Sequence, residues 1–297
     1  MFDRFKKPTP GEGQERPRDA SETRPAAGGF GRRQTPVGGS ATPEPPPSSV
    51  APSGGFGKRA APSKAAEPEN PGASDSTPPG TRSVEVSTVV PKQIADWLMA
   101  ELRDGRGVHC ETILTVLGAL AGFAAQQAVW GAAIATGAKP TQAFTIIRTK
   151  SGESFYFGEP TNHLLASTKT GTVSVWQFVA GAAVKAGATS LPDLMEMFSH
   201  TSKVVGSDQF GIPRLPPGNM PRFMPREALN RYWAKARIIV EQMPAGQWPM
   251  LLAIAAGQLI VAMKEACAPD LACRIFMEAA IPMSKVDPAT VPKRATH

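Results

Sequence analysis

From Cys110 to Thr136 the chain reads CETILTVLGALAGFAAQQAVWGAAIAT, and no charged side chain occurs between Thr112 and Ala138. Apolar residues occupy almost every angular position of a 3.6-residue period, and Gly137 supplies a stop. A helix without a polar face is usually the central one of its domain. This stretch therefore predicts a mainly α (α+β) fold, with about seven helices gathered around one long apolar helix. Its length also allows a membrane span, as does the second uncharged run, Gln242 to Met263. Gln126 and Gln127 sit at the centre of the first, and Pro244, Gln247, Pro249 and Gln258 interrupt the second. Both are therefore expected to be buried core helices.

Outward from this helix, Pro91 to Leu102 places Ile94, Ala95, Trp97, Leu98 and Leu102 at helical spacing, with Gly105 and Gly107 as the stop. Downstream the period changes. Phe144 to Arg148 and Ser154 to Phe157 are β-rich and flank the turn residues Lys150-Ser151-Gly152, which predicts one β-hairpin closed by Gly158 to Asn162. Further helices are expected from about Val173 to Lys185, from Ser190 as N-cap to Gly206, and from Pro225 to Val240. Two more are expected from Pro249 to about Ala266 and over a short stretch beginning at Pro269-Asp270. Asp208 to Met224, with four prolines, reads as an irregular connection long enough to suggest a task of its own. The organisation predicted is a Pro/Gly-rich arm over 1–85, a helical globular domain over 86–285 and a frayed tail over 286–297.

Residues 1–83 contain no Leu, Ile, Trp, Tyr, Cys or His. Such a segment cannot bury enough apolar surface to offset an ordering entropy of roughly 1 to 2 kcal/mol per residue, so the arm is expected to be disordered. It repeats one pattern, Gly28-Gly29-Phe30-Gly31-Arg32-Arg33 and Gly54-Gly55-Phe56-Gly57-Lys58-Arg59. An aromatic anchor on flexible backbone beside cations suits a short docking motif, with Phe30 and Phe56 as the anchors. Phe2, Phe5, Lys6 and Lys7 form a similar cluster that suits weak contact with an anionic membrane surface.

Of 32 basic and 25 acidic residues, 12 and 10 fall before Val86, which leaves 20 against 15 for the domain. This mild excess is far from the dense basic face of a nucleic-acid binder. Lys203 to Arg237 holds seven cations against Asp208 and Glu227, interleaved with Phe210, Phe223, Tyr232 and Trp233. Arginine mixed with aromatics on a Pro-ordered loop is the composition of a protein-interaction surface, and Arg222, Phe223, Arg226 and Arg231 are its candidate contacts.

Enzyme signatures are weak. His109-Cys110 at a helix start could hold an activated thiol, but no orienting residue accompanies it. Cys267 and Cys273 are spaced too widely for a zinc hook, and the histidines lack ligand spacing. No catalytic, cofactor-binding or metal-ligating residue is assigned, and no cofactor is expected. Three cysteines behind an N-terminus without an apolar signal stretch suit the cytoplasm. The function expected is a non-enzymatic adaptor or regulatory protein that binds a protein partner. The alternatives are a small-molecule enzyme or ligand-binding domain with a pocket near Cys110, and a peripheral membrane-associated protein.

Overall fold

A computed structural model of the chain describes residues 79–169 and 172–293, with side chains from residue 88 onward. Of the arm expected to be disordered, residues 1–78, with the motifs around Phe2, Phe5, Lys6, Lys7, Phe30 and Phe56, lie outside the described residues, whereas residues 79–85 belong to a helix. Among those described, eight α-helices and two antiparallel strand pairs form. In chain order they are α1 (Pro79–Glu101), β1 (Arg103–Asp104), β2 (Gly107–Val108), α2 (Cys110–Ala135), β3 (Thr145–Arg148) and β4 (Ser154–Phe157). There follow α3 (Glu159–Ala166), α4 (Val175–Lys185), α5 (Leu194–Val204), α6 (Pro225–Val240), α7 (Trp248–Ala262) and α8 (Pro269–Met283). The mainly helical α+β class read from the sequence is the class observed.

Helix α2 is the central element, buried along nearly its whole length and packed against α6, α7 and α8. It ends where expected, because Gly137 takes the left-handed conformation (φ 75°) that a side chain would resist. Two of its glycines decide how α8 packs. A Cβ at Gly118 would collide with the Phe276 carbonyl oxygen, and one at Gly122 with that of Ala280, so the backbones of α2 and α8 touch where no side chain separates them. On another face of α2, Phe123 meets the Trp233 ring edge-on, with centroids 4.8 Å apart. Cys110–Ala135 and Ala245–Ala262 are both long and apolar enough to cross a membrane, but the most apolar part of the first is 94% buried inside the domain, against 50% for the second.

The expected hairpin forms, with Arg148 opposite Ser154 and Thr145 opposite Phe157, around a turn with Gly152 at φ 86°. The second strand pair, β1 with β2, forms where only a glycine stop was expected, and four further details differ from the sequence expectations. Residues 158–162 do not merely close the hairpin: they open α3, with Gly158 before it and Pro160 in the first turn, where a missing N–H costs nothing. Helix α1 starts at Pro79 and runs through Pro91 instead of beginning there, anchored next to that proline by the buried Val90. Helix α5 is capped by Asp193, which accepts from the backbone N–H of Met195 and Glu196, in place of Ser190. Finally, the chain after α8 is packed as far as Val291, where fraying was expected. Val286 bridges to Phe155, the Tyr156 N–H donates to the Lys285 carbonyl (2.8 Å), and Val291 is buried. This segment gains backbone partners from β4, which the local sequence does not announce.

The irregular connection between α5 and α6 is tied down at three points. Arg214 reaches both Glu196 on α5 and the buried Glu278 on α8 (2.8 Å to the latter). Asn219 donates to Glu111 (2.9 Å), and the Arg222 N–H donates to the Thr112 hydroxyl (3.0 Å). The Arg214 guanidinium holds the Glu196 carboxyl below its ordinary range.

Candidate functional site

Beside the hairpin lies a cavity of about 490 Å³ walled by β4, α3, the loop that follows α3, and α5, with Lys285 at its floor. Each wall has a sequence cause. Helix α3 follows β4 after one residue, so Phe157, Glu159, Asn162 and His163 face the same space. The loop after α3 is knit by Ser174, the N-cap of α4, whose hydroxyl donates to the Ser167 carbonyl (2.8 Å), and by the Ser167–Thr172 hydroxyl pair (2.8 Å). Helix α5 contributes Phe198 and Thr201, with the 77% exposed Met195 at the rim.

The backbone around Lys285 is fixed by independent hydrogen bonds. Its N–H donates to the Pro282 carbonyl (3.0 Å), closing the last turn of α8. The buried Gln126 of α2 donates through Nε2 to the Ser284 (3.2 Å) and Val286 (2.8 Å) carbonyls, on either side of the lysine. The side chain is thereby committed to the gap between α3 and α5. Lys285 is 1% exposed. Its Nζ donates to the Asn162 side-chain oxygen and lies 5.5 Å from the Phe157 ring centroid and 5.8 Å from that of Phe198. An ammonium can make three hydrogen bonds, and only this one is supplied by the described residues. Burial pulls the Lys285 amine down to about 8, with the Glu159 charge opposing.

Comparison with protein-family models, curated proteins and solved structures finds no match. The chemistry of the site rests on its own geometry.

The residues singled out from the sequence lie elsewhere. Arg222 pairs with Asp104 (2.7 Å), and Arg226 donates to Thr290 (2.7 Å) with Glu153 at 3.9 Å. Arg231 pairs with Glu227 (2.8 Å) and lies 4.4 Å over the ring of Phe223, which packs on Tyr232. The structure thus brings Phe223 and Arg231 into contact, while Arg222 and Arg226 turn to separate partners, and each arginine is engaged within the chain. Lys235 and Arg237 are likewise paired, with Glu101 and Glu241. Phe30 and Phe56 are not described.

Cys110 does not line the cavity, and its thiol is pushed well above the ordinary range by the neighbouring Cys267 thiol, by burial and by Glu111. That is the reverse of what a thiolate nucleophile needs. His109 is held down by burial against the opposing pull of Glu111, and burial pushes Cys273 up to about 12. Among the described residues no group of three or more His, Cys, Asp or Glu could hold a metal ion.

Sequence reasoning missed Lys285 because it is a lone cation after an apolar helix, which ordinarily marks a solvated end. Its cover comes from Asn162 and Phe198, far upstream in the chain. The one local signal is the dense apolar run Ala279 to Met283, which leads straight into it.

Proposed function

We propose that this domain binds a small molecule in the Lys285 cavity, through an acceptor oxygen on the ammonium and a flat apolar body between Phe157 and Phe198. The observation that carries this is a buried lysine lining an open cavity, with two donors for which the described residues supply no acceptor. Burying an ammonium costs several kcal/mol unless it is well paired, and a titratable group shifted by burial in a cleft is a hallmark of functional sites. The three buried free thiols suit a reducing compartment, so a cytoplasmic location belongs to the same proposal.

Benzoate is the simplest probe of this shape and charge. Calorimetric titration of the full chain is expected to show one saturable site. Lys285→Met should weaken it by roughly ten- to a hundredfold, the effect of losing one charged hydrogen bond of about 1.5 to 3 kcal/mol. Absence of any saturable binding by the wild type at millimolar benzoate would remove the proposal.

A second reading keeps the adaptor function, with a protein partner docking on the connection before α6. It is favoured by the exposed apolar side chains of Ile212, Met220 and Met224, which lie on the same connection as Arg222. The Phe30 and Phe56 motifs would add a tethered second contact. Arg226→Glu with Arg231→Glu is expected to slow association with such a partner and flatten its salt dependence. Stability should fall by about 1 kcal/mol or less, because both ion pairs are surface pairs. A partner bound equally well by the double variant would place the contact elsewhere.

A further inference from the structure

We infer that Lys285 is a carbonyl-capturing amine: its Nζ adds to the carbon of an aldehyde or ketone held in the cavity and condenses with it to an imine. The inference rests on the cavity being a ligand site, and it adds the class of ligand and the bond formed.

Three features of the site support it. First, the amine stands at the floor of a cavity large enough for a small carbonyl compound, and Asn162 fixes the direction of the Nζ atom. Second, its hydrogen-bond partner is a neutral amide, and Glu159 acts on it only through space. No tight ion pair therefore has to be broken to free the nitrogen lone pair. Third, the flanking Phe157 and Phe198 rings stabilise the cation by their faces but accept no proton, so the amine can cycle between charged and neutral forms in place. Desolvation adds to this. With an amine titrating near 8, about a quarter is neutral at pH 7.5, against roughly a thousandth for an ordinary exposed lysine.

The step balances without an oxidant or a reductant. The neutral amine's lone pair forms the C–N bond while the carbonyl π pair moves to oxygen, which takes up a proton. The resulting carbinolamine then loses its hydroxyl as water and its second N–H proton, leaving C=N. The sum is amine plus carbonyl giving imine plus water. His163 and Glu159 line the same cavity and provide groups able to carry protons for the dehydration.

The test is reductive trapping on the full chain. The protein is exposed briefly at pH 7.5 to 4-carboxybenzaldehyde with cyanoborohydride, which delivers hydride to the imine carbon and leaves a stable secondary amine. Adducts are then located by peptide mass spectrometry. The expected result is modification of Lys285 at least tenfold faster than that of any exposed lysine, suppressed by excess benzoate. Lys285→Arg, which keeps the cation, should abolish that adduct and leave the other lysines labelled as before. Labelling spread over surface lysines with no excess at Lys285 overturns the inference. If benzoate still binds in that case, the cavity remains a ligand site and only the covalent step falls. If benzoate fails as well, both fall together.

Discussion

Gly122→Ala is expected to destabilise the domain by about 3 kcal/mol or more, the upper part of the range for overpacking a core. Alanine is the better helix former by roughly 1 kcal/mol, so propensity alone predicts the opposite sign. Geometry decides against it. The new methyl would fall inside the Ala280 carbonyl oxygen and lie 2.7 Å from the Ala280 carbonyl carbon and 2.9 Å from its Cα. These are backbone atoms of a buried helix and cannot rotate away, so α8 must shift. Gly181 on α4 is the matched control, because nothing lies within 4 Å of a Cβ added there. Gly181→Ala should therefore stabilise by about 0.5 to 1 kcal/mol. Urea unfolding of the two variants should move the midpoint in opposite directions. An unchanged midpoint for Gly122→Ala would mean that α2 and α8 do not meet as described.

Lys285→Met should have the second large effect, raising stability at neutral pH while weakening the proposed ligand binding. The folded-state pKa of about 8 lies below the ordinary 10.5 of the unfolded chain. Between these values the unfolded state holds more protons than the folded one, so wild-type stability climbs as pH rises from about 8 to about 10.5. Below pH 8 both states are protonated and the full cost of burying the charge is present, at about 3 kcal/mol from 2.5 pKa units. Methionine fills similar space without that charge, although the Asn162 side-chain oxygen loses its partner, which returns about 1 kcal/mol. The net expectation is a gain of about 2 kcal/mol at pH 7 that disappears towards pH 10. Glu159, His163 and Lys169 also face this space in both proteins, and the attraction of Glu159 for the ammonium, lost with the charge in the variant, is already contained in the lysine's shift. Urea unfolding of both proteins at several pH values between 6 and 10 measures that difference. A Lys285→Met variant that is less stable than wild type at pH 7 would show that the ammonium is well paired in the fold and not held in reserve for a ligand.

Much of this architecture is legible in the sequence alone, and the boundary between what is legible and what is not follows the range of the interactions. Helix α2, the hairpin, the proline that opens α6 and the glycine that ends α2 are set by residues within a few positions of one another. Periodicity and turn chemistry therefore reveal them. The same local rules fail at Glu159-Pro160, where a first-turn proline resembles a loop proline, and at Pro91, which reads as a start although the helix runs through it. The site belongs to the other class. Lys285 carries no local mark, and it becomes a buried amine only because α3, α5 and the hairpin close over it from more than 80 residues upstream. Gln126 likewise reads in sequence as a polar interruption of an apolar helix. Its role in fixing the backbone on both sides of that lysine arises from contacts about 160 residues apart. Charge and composition marked Arg222, Arg226 and Arg231 as available cations, whereas tertiary structure supplied each with an acceptor. Local sequence fixes backbone conformation through short-range sterics and hydrogen bonding, but desolvation and charge pairing depend on which distant side chains arrive, and those contacts exist only in the assembled fold.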